Sequence, residues 1–166
     1  MNKYLIICID DEREVLDSVL HDITDLEAHF MLEAAESVAE AREVIIDAQK
    51  EGVTLALVLC DHQMPKETGI DFLIELTEKD ETKNAQKILL TGQAGLPETI
   101  TAINNHSIDY FIAKPWNKDE LKAVVIEQLT EFVIQHDKNP MTWASTLDTG
   151  KILNAISQNR QSLSDY

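Results

Sequence analysis

The amino-acid sequence predicts an α/β fold, a doubly wound parallel sheet of five strands followed by a short C-terminal extension. Three observations support this. Short apolar runs alternate with longer amphipathic stretches five times in succession, up to about residue 135. Strands alternating with helices in this way build a parallel sheet whose right-handed crossovers place helices on both faces. Four of the apolar runs end in a carboxylate, a hydroxyl or an ammonium, at what would be a single edge of that sheet.

The first strand is read in YLIICI and is closed by Asp10 and Asp11. Val15, Leu16, Val19, Leu20 and Ile23 then recur at helical spacing. HFMLEAA reads as the second strand. Ser37 and Glu40 form a capping pair ahead of AREVIIDAQKE, and Gly52 supplies a stop. The third strand, LALVLC, ends at Asp61, and the loop after it carries Pro65 and Gly69. Ile70 to Lys79 alternates apolar and polar residues as a helix does. KILL, the fourth strand, ends at Thr91, and Pro97 suits the first turn of a helix reaching Asn105. YFIA, the fifth, ends at Lys114 with Pro115 behind it. Asn117 and Glu120 repeat the capping pattern before a helix to about Gln135.

The chain has 166 residues, the size of one ordinary domain with an appendage. Hydrophobic residues make up 44%, enough for a real core, and aromatics only 5%, so that core should be aliphatic. A net charge of −16 opposes direct contact with nucleic acid, whose phosphates it would repel. Cys8 and Cys60 lie inside apolar runs and read as buried thiols of a reduced compartment. No apolar stretch approaches the ~18 residues of a membrane span. The N-terminus has no signal-peptide pattern, so a cytoplasmic location is expected.

Chemistry concentrates at the strand ends. Taken singly, an aspartate after a strand is a turn or cap residue, a threonine there ends a strand, and a lysine is a solvated charge. Together, Asp10, Asp11 and Asp61 would repel one another and raise each other's pKa unless a cation joined them. Mg²⁺ prefers oxygen ligands and keeps several waters, which leaves room for a phosphate oxygen. With the metal in place Asp61 could stay ionised and attack phosphorus as a nucleophile. Lys114 would hold other phosphate oxygens as a point charge, and Thr91 would donate a hydroxyl hydrogen bond.

The set Asp10-Asp11, DHQMPKETG with Asp61, LLTG with Thr91, and AKP with Lys114 resembles the receiver domain of bacterial two-component response regulators. The resemblance covers residues 3 to about 135. It implies a flavodoxin-like sheet of order 2-1-3-4-5, with Asp61 as phosphoacceptor and Thr91 and Lys114 as its partners. It implies Mg²⁺ on Asp11, Asp61 and the backbone carbonyl of Gln63, with Asp10 reached through water. The Lys114–Pro115 peptide is typically cis in such domains. Phe111 fills the aromatic switch position, where its alternative is a plain core phenylalanine. Gln63 and Gln93 hold the variable positions that tune loss of the phosphoryl group. The donor would be a sensor histidine kinase or phosphotransfer protein, and the reader a protein effector that sequence does not identify. The domain would be a self-phosphorylating and self-dephosphorylating switch rather than a turnover enzyme.

Other residues near the site read more plainly. His62 is expected in a solvent-facing loop, and Trp116 packed at the start of the last helix. Two further readings stand beside the receiver. A Mg²⁺-dependent phosphatase with an aspartate nucleophile shares the topology, but its haloacid-dehalogenase type needs a second Asp where Gln63 stands. A flavin or nucleotide module needs a glycine-rich first loop, and IDDERE offers none. The run from Thr91 to Trp116 also looks like receivers attached to cyclic-nucleotide enzymes or kinases, so a fragment of such a protein is an alternative.

Residues 1–136 are thus expected to form the receiver domain, and residues 137–166 a partly helical tail or linker. The tail's acids Asp137, Asp148 and Asp165 balance Lys138, Lys151 and Arg160, which disfavours a DNA-binding output. It reads as the end of a stand-alone receiver or as linker to a missing part. Trp143, Ile152, Leu153 and Ile156 could dock it on the domain or extend a homodimer contact.

Overall fold

In the computed structural model, which describes residues 3–92 and 97–164, five strands form one parallel sheet. They are β1 (Tyr4–Ile9), β2 (Met31–Ala35), β3 (Thr54–Asp61), β4 (Gln86–Thr91) and β5 (Tyr110–Ala113), in the order 2-1-3-4-5. The helices are α1 (Arg13–Asp22), α2 (Val38–Lys50), α3 (Gly69–Glu78), α4 (Pro97–Asn104), α5 (Lys118–His136) and α6 (Thr149–Ser164). Among the described residues no helix is long and apolar enough to cross a membrane.

The central strands are buried on both faces, which is why they read as continuous apolar runs. Alternate side chains feed two cores. Ile6, Cys8, Leu57 and Leu59 pack with Leu16 and Val19 of α1 and with Leu121, Val125 and Leu129 of α5. Leu5, Ile7, Ile9 and Val58 pack with Ile45 of α2 and with Phe72 and Leu73 of α3. Cys8 and Cys60 are buried free thiols, and burial pushes Cys8 up to about 12.

Capping follows the sequence. Ser37 Oγ accepts the Glu40 N–H at 3.1 Å, and Asn117 Oδ1 accepts that of Glu120 at 2.7 Å. Gly52 takes φ +80°, the left-handed conformation that glycine adopts without steric cost. One strand is shorter than its apolar run suggested. β2 begins at Met31, because Thr24–Ala28 forms a 3₁₀ turn and Phe30 is drawn wholly into the core before pairing begins.

The polypeptide after α5 packs onto the same core. A 3₁₀ turn at Pro140–Trp143 leads to α6, and Trp143, Leu147 and Ile152 are buried beside α1 and α5. Trp143 stacks on Phe30 with ring centroids 4.8 Å apart. Asp137 ties the arrangement together by accepting from Tyr4 Oη at 2.6 Å, Trp143 Nε1 at 3.1 Å and the Asn139 N–H at 2.7 Å. This network closes the sheet at the amino end of β1, away from the polar strand ends.

Candidate functional site

Register decides which of the polar strand ends meet. β1 pairs with β3 so that Ile9 faces Cys60, and the next residues, Asp10 and Asp61, emerge side by side. β4 pairs with β5 so that Thr91 faces Ala113, and the Lys114 N–H then donates to the Thr91 carbonyl at 2.9 Å. The Lys114 side chain turns over the edge. Its Nζ lies 2.9 Å from Asp61 Oδ1 and 3.3 Å from Asp10 Oδ2. The Lys114–Pro115 peptide is cis.

Asp10, Asp61 and Thr91 are buried, while Asp11 is exposed. Asp10 is oriented by the Glu12 N–H, which donates to its Oδ1 at 2.9 Å. Asp11, Glu12, Asp61, Gln63, Thr91, Gly92 and Lys114 line one cleft of about 370 Å³. Five of the sequence-predicted residues therefore share a wall, and Asp10 joins them through Lys114. Gln63 stands exposed on the rim. Gln93 lies outside the described residues.

Burial raises the Asp61 carboxyl above the usual carboxylate range, and Asp10 and Asp11 add to the rise while Lys114 opposes it. Burial works against the Lys114 ammonium, but Asp61 and Asp10 outweigh it and hold its pKa above the ordinary lysine value. One carboxylate oxygen from each of Asp10, Asp11 and Asp61 lies within 4.8 Å of the others. An all-oxygen set with one open, exposed member fits a hard divalent cation that keeps part of its water shell. The donor set and its spacing suit Mg²⁺.

Three supporting features were not legible as such. A Cβ on Gly69 would lie 2.0 Å from the Asp61 carbonyl oxygen, so only glycine permits α3 to start against the end of β3. Glu67 in the β3–α3 loop is held by the Arg42 guanidinium in a fork, at 2.8 and 2.6 Å, and Arg42 also grips Glu75 of α3. A lone arginine on α2 gave no sign of this, because its partners come from other elements. The expectation of a solvent-facing His62 is corrected. His62 is buried, because its N–H still pairs with the Leu90 carbonyl at 3.3 Å and its own carbonyl accepts from Gly69 at 2.9 Å.

Phe111 is half-buried and packs on the core beneath α2 and α3, opposite Leu89 in the sheet. Trp116 packs partly against the α1–α5 core, with its Nε1 3.4 Å from Asp22 Oδ2.

The sequence matches the family pattern of the response regulator receiver domain over residues 6–126. It is 32% identical over 123 residues to the transcriptional regulatory protein CpxR of Escherichia coli, covering 74% of this chain and 47% of that protein. It is 26% identical over 132 residues to the hydrogenase transcriptional regulatory protein HoxA of Cupriavidus necator, covering 80% of this chain and 25% of that one. The matched part thus spans about a quarter to a half of these relatives. A CheY-like receiver domain protein from Methanospirillum hungatei is similar in structure, with TM-score 0.65 and 26% identity over 80% of this chain and 97% of that one. The response regulator TrrA of Thermotoga maritima, solved with Mg²⁺ and BeF, gives TM-score 0.59 at 25% identity, over 77% and 99%.

Proposed function

The chain belongs to the response regulator receiver domain family, and from that premise we propose that Asp61 is its phosphoacceptor, served by Lys114 and Thr91. The observation that carries the reading is the meeting of three carboxylates within 4.8 Å, with a lysine at 2.9 Å from the central one.

A carboxylate oxygen of Asp61 attacks the phosphorus of a phosphohistidine on a sensor histidine kinase or phosphotransfer protein. The new bond is P–O, the P–N bond breaks, and its electron pair stays on the departing imidazole. Lys114 already holds Asp61 Oδ1 and is placed to neutralise phosphoryl oxygens as they arrive. Thr91 lines the same cleft and supplies a hydroxyl donor. Asp11, Asp61 and the Gln63 carbonyl would hold Mg²⁺, with Asp10 reached through water. When bound, the metal offsets the negative charge of the carboxylates and the phosphoryl oxygens.

The phosphorylated Asp61 would carry about −1.5 to −2 charge and new acceptor oxygens. Movement of Thr91 toward those oxygens reaches Phe111 through β4–β5 pairing, since Leu89 faces Phe111 and Thr91 faces Ala113. Phe111 has no hydroxyl, so the switch works through packing, and a protein effector reads the changed surface. The test is incubation with acetyl phosphate and Mg²⁺, followed by intact mass. The wild type should gain one base-labile phosphoryl group and Asp61→Ala none. Phosphorylation of Asp61→Ala, or none of the wild type, would overturn the assignment.

A further inference from the structure

The segment that joins β3 to α3 bends at a costly place. Lys66 takes φ +73°, and the Glu67 N–H donates to the Pro65 carbonyl at 2.9 Å, so a γ-turn is centred on a lysine. A residue with a Cβ is strained at positive φ and keeps that conformation only where its surroundings hold it. The base of the segment is closed by the Gly69 N–H, which donates to the His62 carbonyl at 2.9 Å, and Met64 packs against the core. Gln63 and Lys66 themselves are exposed.

The outer end is held from another helix. Arg42 sits on α2 near the buried residues Ala41 and Ile45, so its backbone is fixed. Its Nη1 and Nη2 donate to the two oxygens of Glu67 at 2.8 and 2.6 Å, and its Nε and Nη2 to those of Glu75 at 2.9 and 2.7 Å. The guanidinium also lies 5.6 Å from the centroid of the Phe72 ring. A planar cation can fork to carboxylates and stack on a ring, which a compact lysine ammonium does not do. Exposed ion pairs add little to stability, and the Arg42 and Glu67 side chains are 31% and 41% exposed. The gripped residue, however, directly follows the strained one. The contact therefore bears on the shape of the turn more than on the stability of the fold.

We propose that Arg42 is a positioning residue for the metal site: through Glu67 it holds the turn at Lys66, and so keeps the Gln63 backbone at the cleft it shares with Asp61. This rests on the reading of that cleft as a Mg²⁺ and phosphoryl site. Charge alone predicts the opposite sign. Removing a cation from a chain of −16 draws Mg²⁺ more strongly, whereas releasing the turn weakens its binding.

Two measurements on the full chain test this. In the metal-free state, amide hydrogen exchange at Glu67 should quicken at least about ten-fold in Arg42→Met, while the β3 amides keep wild-type rates. In a Mg²⁺ titration followed by tryptophan fluorescence, Arg42→Met should bind about three- to ten-fold more weakly, less than the loss usual when a group bonded to a ligand itself is removed. Lys83→Met, which deletes a cation from an exposed pair with Asp80, should bind no more weakly than the wild type. Glu67→Ala keeps the Arg42–Glu75 fork and serves where Arg42→Met fails to fold. It should weaken Mg²⁺ binding more than Asp71→Ala, which removes an equal charge from the first turn of α3. Undiminished Mg²⁺ affinity or unchanged Glu67 exchange in Arg42→Met would overturn the proposal, as would an equal loss of affinity in Lys83→Met. Equal affinities of Glu67→Ala and Asp71→Ala would overturn it too. A wild type that binds no Mg²⁺ would instead sink the reading of the cleft, and the role of Arg42 with it.

Discussion

The Lys114 ammonium lies 2.9 Å from Asp61 Oδ1, although β4 separates the two strands that carry them. The side chain reaches across the Thr91 position to the central carboxylate and contacts Asp10 as well, at 3.3 Å. It serves as the resident cation of an otherwise anionic edge.

Replacing Lys114 with Met removes that cation while Asp10 and Asp61 remain buried. The metal-free variant should lose about 1–3 kcal/mol of stability, below the full cost of breaking a buried pair because Lys114 is partly exposed. Mg²⁺ affinity, followed by tryptophan fluorescence, should be at least that of the wild type, since no ammonium competes. Phosphorylation by acetyl phosphate should fall. An unchanged yield would remove Lys114 from the proposed chemistry.

Gly69→Ala places a methyl 2.0 Å from the Asp61 carbonyl oxygen, a contact with backbone that no side-chain movement can relieve. The β3–α3 junction must shift, at a cost of about 3 kcal/mol. Urea unfolding should show a lower midpoint, and Asp61 phosphorylation should drop with it. A variant matching the wild type in both would show that the junction is looser than the packing implies.

Burial works against the Asp137 carboxylate, but hydrogen bonds from Tyr4, Asn139 and Trp143 outweigh it and hold its pKa below the ordinary 3.8. A carboxyl depressed on folding contributes stability that is complete above its unfolded value. That contribution is lost as pH falls through the lower folded value. Asp137→Asn should therefore cost about 1–2 kcal/mol at neutral pH, and its deficit should shrink as pH drops below 3.8. A deficit that is constant with pH would point to shape rather than charge.

Deleting residues 138–166 removes Trp143, Leu147 and Ile152 from the core around α1 and α5 and uncovers Phe30. Each such side chain is worth about 1.5–3 kcal/mol of burial. The truncated chain should unfold at clearly lower temperature and urea concentration. An unaltered midpoint would make the extension energetically separate from the domain.

Mg²⁺ should raise the thermal midpoint of the wild type, because the proposed metal site, with its carboxylates from Asp10, Asp11 and Asp61, is assembled only in the folded chain. Asp11→Asn should reduce the shift, and EDTA should abolish it. A wild type indifferent to Mg²⁺ would refute the metal assignment.

Much of this was written locally. The alternation of apolar runs and helical spacing determined five βα units, Ser37 and Asn117 marked helix starts, and Gly52 marked a stop. Asp10, Asp11, Asp61, Thr91 and Lys114 declared themselves by standing at strand ends, because a short buried strand can change to polar residues only where it leaves the core. Periodicity states which residues prefer the interior, but not which neighbour they meet there. Only the tertiary structure decided that Ile9 faces Cys60, which sets Asp10 beside Asp61, and that His62 stays paired to β4 and buried. The same holds for the close approach of Gly69 to Asp61 and for the grip of Arg42 on Glu67. In the extension, one apolar composition was divided by packing alone. Trp143 and Ile152 found Phe30 and the α5 core, while Met141 and Leu153 were left facing outward.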